Sequence, residues 1–535
     1  MLEKLIENWL ISTNERGYMP AFCQLLVSQG YQLLYISPHG PDEAGKDIVA
    51  RNPNSKLECF QLKNGDVSLP EFRKIEGELE ELLKHPIIHP SVSTKERYSS
   101  LLVVNGRVND PVRTRIKQRN DANWNESRST KLDYFQREQL IQKFVEYYGS
   151  FFPQEAKNFR DFLGFYIAPG DDFIDKAQLC AFLEKHFESD SKKLSNTQIA
   201  HLISSSLILV NYAISPWIKS KNYVSQIESW VCLLAYIYSR VEKHNLPDKY
   251  WSQSESIVIT FIESNFKDLL SEVEKRHHLI EGDWPSDGIV YPARTTIVLG
   301  YLCSYALYRR LQNNPLEESV ETKILEINKK YENKLKFWGE VFSPHLFAYF
   351  WFNSIHGRQM EAVGRFSSML HGLVNPKKSP QPYGFPNPYF SYENSVRIVN
   401  QLMIDDPKQH FVGQSYSMWS MVETLARRGY RDILADLWPK ISKTQYSELV
   451  STNKHNYLTW KVEKGKLIEK FPNQTQSWKT LVEDSASKDY TNIPAVLLNK
   501  PAFALVFMLV FPQRLTPGII KGSRLGNSNK TILFQ

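Results

Sequence analysis

Apolar and polar residues alternate with a period of two through residues 45–63, on both sides of a polar turn at 52–56. Because strand side chains point to opposite faces of a sheet in turn, this pattern predicts a β-hairpin in which Arg51 lies opposite Leu57. The hairpin then groups Asp47, Val49, Cys59, Gln61 and Lys63 on one face, and Ile48, Ala50, Phe60 and Leu62 on the other. The second face is apolar and is suited to packing beneath a helix.

Helical and strand patterns also occur on both sides of the hairpin. Gly30 is predicted to end the first helix, and an apolar strand follows from Tyr31. In chain order the predicted elements are a helix at 20–29, a strand at 31–36, the hairpin, a Glu-rich helix at 69–84, a strand at 100–105, a polar stretch and a helix at 135–148. Residues 1–150 are therefore predicted to form an α/β domain.

From about Pro153 onward, apolar and aromatic residues recur with helical spacing. The predicted helices lie at 197–214, 225–242, 255–277, 295–312, 318–336, 345–373, 392–403 and 414–428. Five prolines between 375 and 390 interrupt this pattern, and they predict a linker or an ordered loop because proline cannot continue a helix. We therefore predict a helical sensor or interaction domain at 151–374 and a mostly helical C-terminal domain at 391–535.

The composition is typical of a globular cytoplasmic protein. Hydrophobic residues make up 42% of the 535-residue chain, which is enough for several sizeable cores. The five cysteines are widely spread and lack CxxC spacing, which favours a reducing compartment and argues against structural zinc. No signal peptide is recognisable, and the most apolar window, 501–511, is too short to span a bilayer, so we predict no membrane partner.

The hairpin carries groups that are suited to metal-dependent phosphodiester hydrolysis. Mg²⁺ prefers oxygen ligands, and Asp47, the side-chain carbonyl of Gln61 and the backbone carbonyl of Leu62 could supply three of them. Lys63, beside that cation, would orient the attacking water and stabilise charge on a phosphate. The alternative is a half-exposed hairpin on which these polar side chains are merely solvated.

These motifs and their order resemble the PD-(D/E)xK restriction-endonuclease-like superfamily, most closely its Mrr-like branch, in which glutamine replaces the acid of the last motif. The matching residues are Gly30-Tyr31, Gly45-Lys46-Asp47, Gln61-Leu62-Lys63 and Val104-Asn105-Gly106, and residues 134–144 are similar to the closing helix of the family. The resemblance covers about the first 150 residues. It implies a central mixed sheet and an endonuclease that uses Mg²⁺, with Mn²⁺ as a substitute.

The resemblance also implies a glutamate ligand from the first helix. Glu15 is the nearest candidate, and a solvated carboxylate before that helix is an equal alternative. Asp42 and Glu43, in a literal Pro-Asp-Glu, lie outside the strand and are interpreted as accessory or solvated. Glu58 falls on the apolar face near the turn and is interpreted as an edge residue.

A cluster of basic residues follows the strand at 100–105. Phosphate neutralisation depends on local clusters of this kind, and an aromatic side chain nearby can stack on a base. The candidate DNA-contacting residues are Arg113, Arg115, Lys117, Arg119 and Trp124. A solvated helix face would have the same composition.

Two classes of function are compatible with the sequence. The first is a DNA endonuclease whose helical region senses or recruits a regulatory protein or a second copy of the chain, an arrangement that resembles prokaryotic effectors of anti-phage defence. The second is a non-catalytic helical scaffold whose nuclease-like domain only binds nucleic acid.

Overall fold

The computed structural model describes residues 2–37, 45–122, 129–148, 156–186, 194–275, 287–374, 386–400, 414–462, 466–487, 492–523 and 525. Within these ranges the chain is of mixed α/β class, with a five-stranded mixed sheet near the N-terminus and a large helical region after it. The coarse fold class predicted from the sequence is confirmed.

The N-terminal sheet has its strands in chain order, β1-β2-β3-β4-β5. The first three strands are antiparallel neighbours, whereas β3 pairs with β4 and β4 with β5 in parallel. The strands are β1 Gln32–Ile36, β2 Ile48–Arg51, β3 Leu57–Lys63, β4 Tyr98–Val104 and β5 Ser129–Phe135. The helices in this part of the chain are α1 Leu2–Ser12, α2 Glu15–Ser28, α3 Leu69–Lys74, α4 Glu76–Lys84, α5 Asp110–Asp121 and α6 Arg137–Tyr148.

The hairpin formed by β2 and β3 has the predicted turn and register. Arg51 pairs with Leu57, and Ile48 pairs with Phe60 at the other end of the ladder. Asn52 shapes the turn because its side-chain oxygen accepts hydrogen bonds from the backbone N–H groups of Asn54 and Lys56, each at 3.0 Å. Continuing this register by one residue brings Asp47 level with Gln61.

Helices cover both faces of the sheet. On the face predicted to be apolar, Phe60 packs edge-on against Phe22 of α2, with ring centroids 5.7 Å apart. On the opposite face, Val49 and Cys59 are buried in a core to which α4 contributes Leu79, Leu82 and Leu83. The polar end of the hairpin therefore lies beside a helix and is not a bare solvated surface.

Three elements differ from the prediction. The first predicted helix begins at Glu15, five residues before Pro20, because Asn14 caps it by accepting a hydrogen bond from the N–H of Gly17. The predicted helix at 69–84 is divided into α3 and α4 at Ile75. The polar stretch contains both α5 and β5, neither of which was predicted. Helix α5 has a weak apolar pattern because it buries only Val112 and Ile116.

The chain divides into two compact units. The first comprises residues 1–174, 179–237 and 245–265, so it extends past residue 150, the predicted end of the nuclease domain. The second comprises residues 175–178, 238–244 and 266–535. Helices after α6 are α7 Ala156–Tyr166, α8 Lys176–His186, α9 Asn196–Ala213, α10 Ser215–Lys219, α11 Tyr223–His244 and α12 Ser252–Lys275.

Asn211 of α9 joins a later helix of the first unit to α2. Its side-chain amide is inserted into α2, where it donates to the carbonyl of Gly17 at 2.8 Å and accepts from the N–H of Ala21 at 2.9 Å. These are the two groups that would otherwise bond to each other within the helix. Pro20 lies beside this opening and has no N–H to complete the neighbouring bond.

The second unit is mostly helical and includes a small three-stranded sheet in the order β6-β7-β8. Its helices are α13 Asp287–Leu311, α14 Glu318–Tyr331, α15 Ser343–Ile355, α16 Gln359–Val374, α17 Tyr392–Val399, α18 Met418–Arg427, α19 Arg431–Ile441, α20 Trp478–Ala486, α21 Ala495–Asn499, α22 Pro501–Val510 and α23 Pro517–Gly522. Its strands are β6 Gln414–Ser415, β7 Gln445–Leu449 and β8 Leu467–Lys470.

Two details of the second unit bear on the predictions. The helix predicted at 345–373 is broken between α15 and α16, where Gly357 has a φ of +73°. Residues 375–385 of the predicted Pro-rich linker lie outside the described residues, but Pro386, just after them, accepts a hydrogen bond from the N–H of Glu340 at 2.8 Å. Among all described helices, none has the length and apolar character needed to cross a membrane.

Candidate active site

Asp47 directly precedes β2 and lies against the edge of the β3 backbone. Its N–H donates to the carbonyl of Phe60 at 2.9 Å, and its Oδ2 accepts from the N–H of Leu62 at 2.6 Å. The carboxylate is thereby held beside the peptide that joins Gln61 to Leu62.

Gln61 is 3% exposed, and its amide nitrogen donates to Oε2 of Glu78 at 2.7 Å. Its side-chain oxygen, Oε1, is buried and has no hydrogen-bond partner among the described residues. A buried acceptor without a donor costs about 1–3 kcal/mol, so Gln61 Oε1 has free energy to gain from a ligand.

Lys63 ends β3, and its Nζ lies 2.6 Å from Oε2 of Glu78. Burial lowers the pKa of this ammonium, but the hydrogen bond to Glu78 and the charges of Glu15, Glu78 and Asp47 outweigh burial, so the pKa is raised above its usual value. Lys63 therefore carries its positive charge at neutral pH.

Glu15 is the first residue of α2, and its Oε1 accepts a hydrogen bond from the backbone N–H of Asn64 at 3.2 Å. Asn64 directly follows Lys63, so α2 delivers Glu15 to the same end of β3 as the hairpin residues. Tyr18, one turn later in α2, is fully buried, and its hydroxyl donates toward the carbonyls of Lys63 and Val103, each 3.1 Å away. The position of α2 is therefore tied to the backbone of β3 and β4 at the site.

Glu78 is the member of this cluster that the sequence analysis missed. It lies in α4 directly before the buried Leu79, and its side chain is half exposed. The signal was present in the sequence, since Glu78 flanks the apolar stripe of the Glu-rich helix that follows the Gln61-Leu62-Lys63 motif. The pattern alone did not indicate which of the helix's glutamates would face the sheet.

The glycine and asparagine motifs shape the backbone around these side chains. Gly45 has a φ of +70°, and a Cβ there would overlap the backbone carbonyl of Glu78. Asn105 is 2% exposed and donates to the carbonyls of Leu10 and Thr13 at 2.8 and 2.9 Å. Its Oδ1 accepts from Gly65 N–H at 2.7 Å, just beyond the end of β3.

The donor set fits a hard divalent cation. The available oxygens are the carboxylates of Asp47 and Glu15 and the buried side-chain carbonyl of Gln61, which has no hydrogen-bond donor among the described residues. The backbone N–H of Leu62 donates a hydrogen bond to Asp47. The role of the Leu62 carbonyl as a metal ligand stays a prediction. Among the described residues, no group of three or more His, Cys, Asp or Glu side chains is arranged to hold a metal ion.

The basic run lies on α5, where a spacing of two residues distributes it around the helix. Arg113 donates to the carbonyl of Val108 and to Gln136, and Arg115 lies 3.8 Å from Glu76. Arg119 is paired with Glu80, and burial lowers its pKa. Lys117 is exposed. The predicted stacking residue, Trp124, lies outside the described residues.

The remaining acidic candidates are Glu58, Asp42 and Glu43. Glu58 accepts hydrogen bonds from Tyr31 at 3.0 Å and from Asn52 at 2.8 Å, so it stabilises the turn end of the hairpin, which agrees with its interpretation as an edge residue. Asp42 and Glu43 lie outside the described residues.

Comparisons of the chain with protein-family models, with curated proteins and with solved structures find no match. The functional interpretation therefore depends on the geometry of the site and on the motifs in the sequence.

Proposed function

We propose that the first unit is a metal-dependent endonuclease that hydrolyses the phosphodiester bonds of DNA. The observation that carries the proposal is the meeting of Asp47, Gln61, Lys63 and Glu15 at the end of β3, where the buried Gln61 Oε1 lacks a donor among the described residues. The mixed sheet and the hairpin that bears the site also agree with the arrangement that the PD-(D/E)xK resemblance implies.

Asp47, Glu15 and Gln61 would hold Mg²⁺ or Mn²⁺ through their oxygens, with the backbone carbonyl of Leu62 as a further ligand. When bound, the cation would polarise the scissile phosphate and lower the pKa of a bound water. Lys63 keeps its proton at neutral pH, so its ammonium would bind a non-bridging phosphate oxygen and stabilise the charge that grows there during attack. The peptide of Leu62 would keep Asp47 in place throughout.

Helix α5 is the proposed DNA-contacting surface. Lys117 suits this role best because it is exposed, and Arg113, one turn earlier, lies on the same side of the helix. Arg115 lies on the other side, where it makes a long contact of 3.8 Å with Glu76. Arg119 is less available because it is held by Glu80. Replacing Lys117 with alanine should weaken binding to duplexes of different sequence about equally and should reduce the salt dependence of binding by about one phosphate contact.

The test is cleavage of supercoiled plasmid by the full chain with Mg²⁺ or Mn²⁺. Asp47→Ala and Lys63→Ala should each lower the rate by at least about 100-fold, because the first removes a ligand of the cation and the second removes the positive charge that would stabilise the reacting phosphate. Lys74→Ala is the matched control, since Lys74 is an exposed lysine on the neighbouring α3, and it should cleave at the wild-type rate. Unchanged nicking by the two site variants would show that the assigned site is wrong.

The helical region is proposed to regulate this activity by binding a protein partner or a second copy of the chain, in a role such as anti-phage defence. Regulation is expected because a constitutively active nuclease would damage the DNA of its own host. Cells that express the wild-type chain should resist phage in a plaque assay, and cells that express Asp47→Ala should not. Absence of cleavage with every metal and activator, together with intact DNA binding, would instead favour the non-catalytic scaffold.

A further inference from the structure

We infer that Glu78 is a positioning residue that orients the Gln61 amide, so that the carbonyl oxygen of Gln61 is the atom presented to the cation. The inference rests on the proposed function, which it deepens by explaining how a glutamine can serve at a motif position where the resembling family usually has an acid. A carboxylate has two equivalent oxygens, whereas an amide presents either an acceptor or a donor.

The contacts of Glu78 determine the orientation of the Gln61 amide, that is, whether its NH₂ group or its oxygen faces Glu78. Oε2 of Glu78 lies 2.7 Å from the amide nitrogen of Gln61 and 2.6 Å from Nζ of Lys63. An ionised carboxylate can only accept hydrogen bonds, so it attracts the NH₂ group of Gln61 and repels its oxygen. Oε1 must then point away from Glu78, and it is the atom that is buried without a donor among the described residues.

Three features keep α4 close to the sheet, where Glu78 can reach Gln61. Gly45 allows the backbone of α4 to approach β2, because a Cβ there would overlap the carbonyl of Glu78. Lys46, 3% exposed, donates to the carbonyl of Glu81 at 3.3 Å. The hydroxyl of Tyr98 lies 2.7 Å from the carbonyl of Leu82. The Gly45-Lys46-Asp47 motif therefore positions both Asp47 and the helix that carries Glu78.

Glu78 also supplies the charge that glutamine lacks. Gln61 is neutral, and the carboxylate beside it restores one negative charge within hydrogen-bond distance of both Gln61 and Lys63. Residues that orient metal ligands in this way typically change metal affinity or activity by about 10–100-fold when they are removed.

The test measures Mn²⁺ affinity of the full chain by electron paramagnetic resonance, and plasmid cleavage in parallel. Glu78→Ala should weaken Mn²⁺ binding by about 10–100-fold, because the Gln61 amide is then free to turn its NH₂ group toward the cation. Glu78→Ala combined with Gln61→Glu should recover most of this loss, since a carboxylate needs no orienting partner. The gain from Gln61→Glu should be larger in the Glu78→Ala background than in the wild type, and an equal gain in both would indicate a purely structural role for Glu78.

Glu71→Ala is the matched control, because Glu71 is an exposed glutamate of the neighbouring helix α3, and it should bind Mn²⁺ as the wild type does. Equal Mn²⁺ affinity of Glu78→Ala and wild type would overturn the inference, as would a loss that the double variant does not recover. Loss and recovery of affinity in a chain that cleaves no DNA with any metal or activator would refute the nuclease and support the inference. A wild-type chain that does not bind Mn²⁺ would refute both.

Discussion

Replacing Asn211 with leucine should destabilise the first unit, because this side chain completes the backbone hydrogen bonding of a different helix. Its amide bonds to the carbonyl of Gly17 at 2.8 Å and to the N–H of Ala21 at 2.9 Å, and the Asn211 side chain is fully buried. Leucine has a similar volume but can make neither bond. Both backbone groups would then lack partners in a region from which water is excluded.

The size of the effect depends on whether α2 can close the opening. A buried polar group that is left unpaired costs about 1–3 kcal/mol, so two such groups would lower the free energy of unfolding by about 2–4 kcal/mol once partial relaxation is included. Pro20 opposes closure because its ring crowds the carbonyl of Arg16. In a unit of this size, that loss corresponds to a decrease in Tm of about 5–12 °C.

The assay is thermal unfolding followed by circular dichroism, with Asn196→Leu as the matched control. Asn196 is an exposed residue at the start of the same helix, so its replacement should leave Tm almost unchanged. Asn211→Asp should be at least as harmful as Asn211→Leu, because it would bury a negative charge with one carboxylate oxygen against the carbonyl of Gly17. A Tm for Asn211→Leu within about 1 °C of the wild type would refute the reasoning, since it would mean that α2 closes without cost.

Three further predictions concern other parts of the chain. Gly45→Ala should lower the free energy of unfolding in urea by more than about 2 kcal/mol, because the residue has a positive φ and its new Cβ would overlap the carbonyl of Glu78; wild-type stability would show that α4 can retreat at no cost. Burial raises the pKa of Glu340 from 4.5 to about 7, so the folded state binds more protons than the unfolded state between these values. The stability of the second unit should therefore fall as pH rises from 4.5 to 7, and Glu340→Gln should flatten that slope in urea titrations at several pH values; an unchanged slope would assign it to other groups. The pKa of Glu96 is lowered by its hydrogen bonds from Arg51, at 2.6 and 3.1 Å, so the stability of this pair should be present above pH 4.5 and lost as pH falls through the lowered pKa. Because both side chains remain in contact with solvent, at 23% and 30% exposure, Glu96→Gln should cost no more than about 1 kcal/mol at pH 7 and nothing at pH 2. An equal loss at both values would contradict the linkage.

The parts of the fold that sequence could predict are those governed by local periodicity. The register of the hairpin followed from the period of two and the turn at 52–56, and the ladder from Arg51 to Ile48 has that register. Helices such as α9, α11 and α12 begin and end within a few residues of their predicted limits, because their apolar stripes are long and regular.

Elements with weak periodicity were not predictable in this way. Helix α5 buries only Val112 and Ile116 among many basic residues, so its sequence is indistinguishable from that of a polar loop. Helix α2 begins after a cap at Asn14 and contains Pro20 in its interior. Because proline is disfavoured within a helix, the sequence pattern placed the start of this helix at Pro20 instead. The turn that contains Pro20 is stabilised by Asn211, almost two hundred residues away in the chain.

The candidate site also has a part that local sequence pattern predicts and a part that depends on long-range contacts. The sequence by itself determined that Asp47, Gln61 and Lys63 share one face, because side-chain parity along two strands and one turn is a local property. Only the tertiary structure decided that Glu15 reaches Asn64 and that Glu78 lies against Gln61 and Lys63. Those contacts depend on how closely α2 and α4 approach the sheet, and that distance is determined by buried groups on other elements that no local pattern encodes.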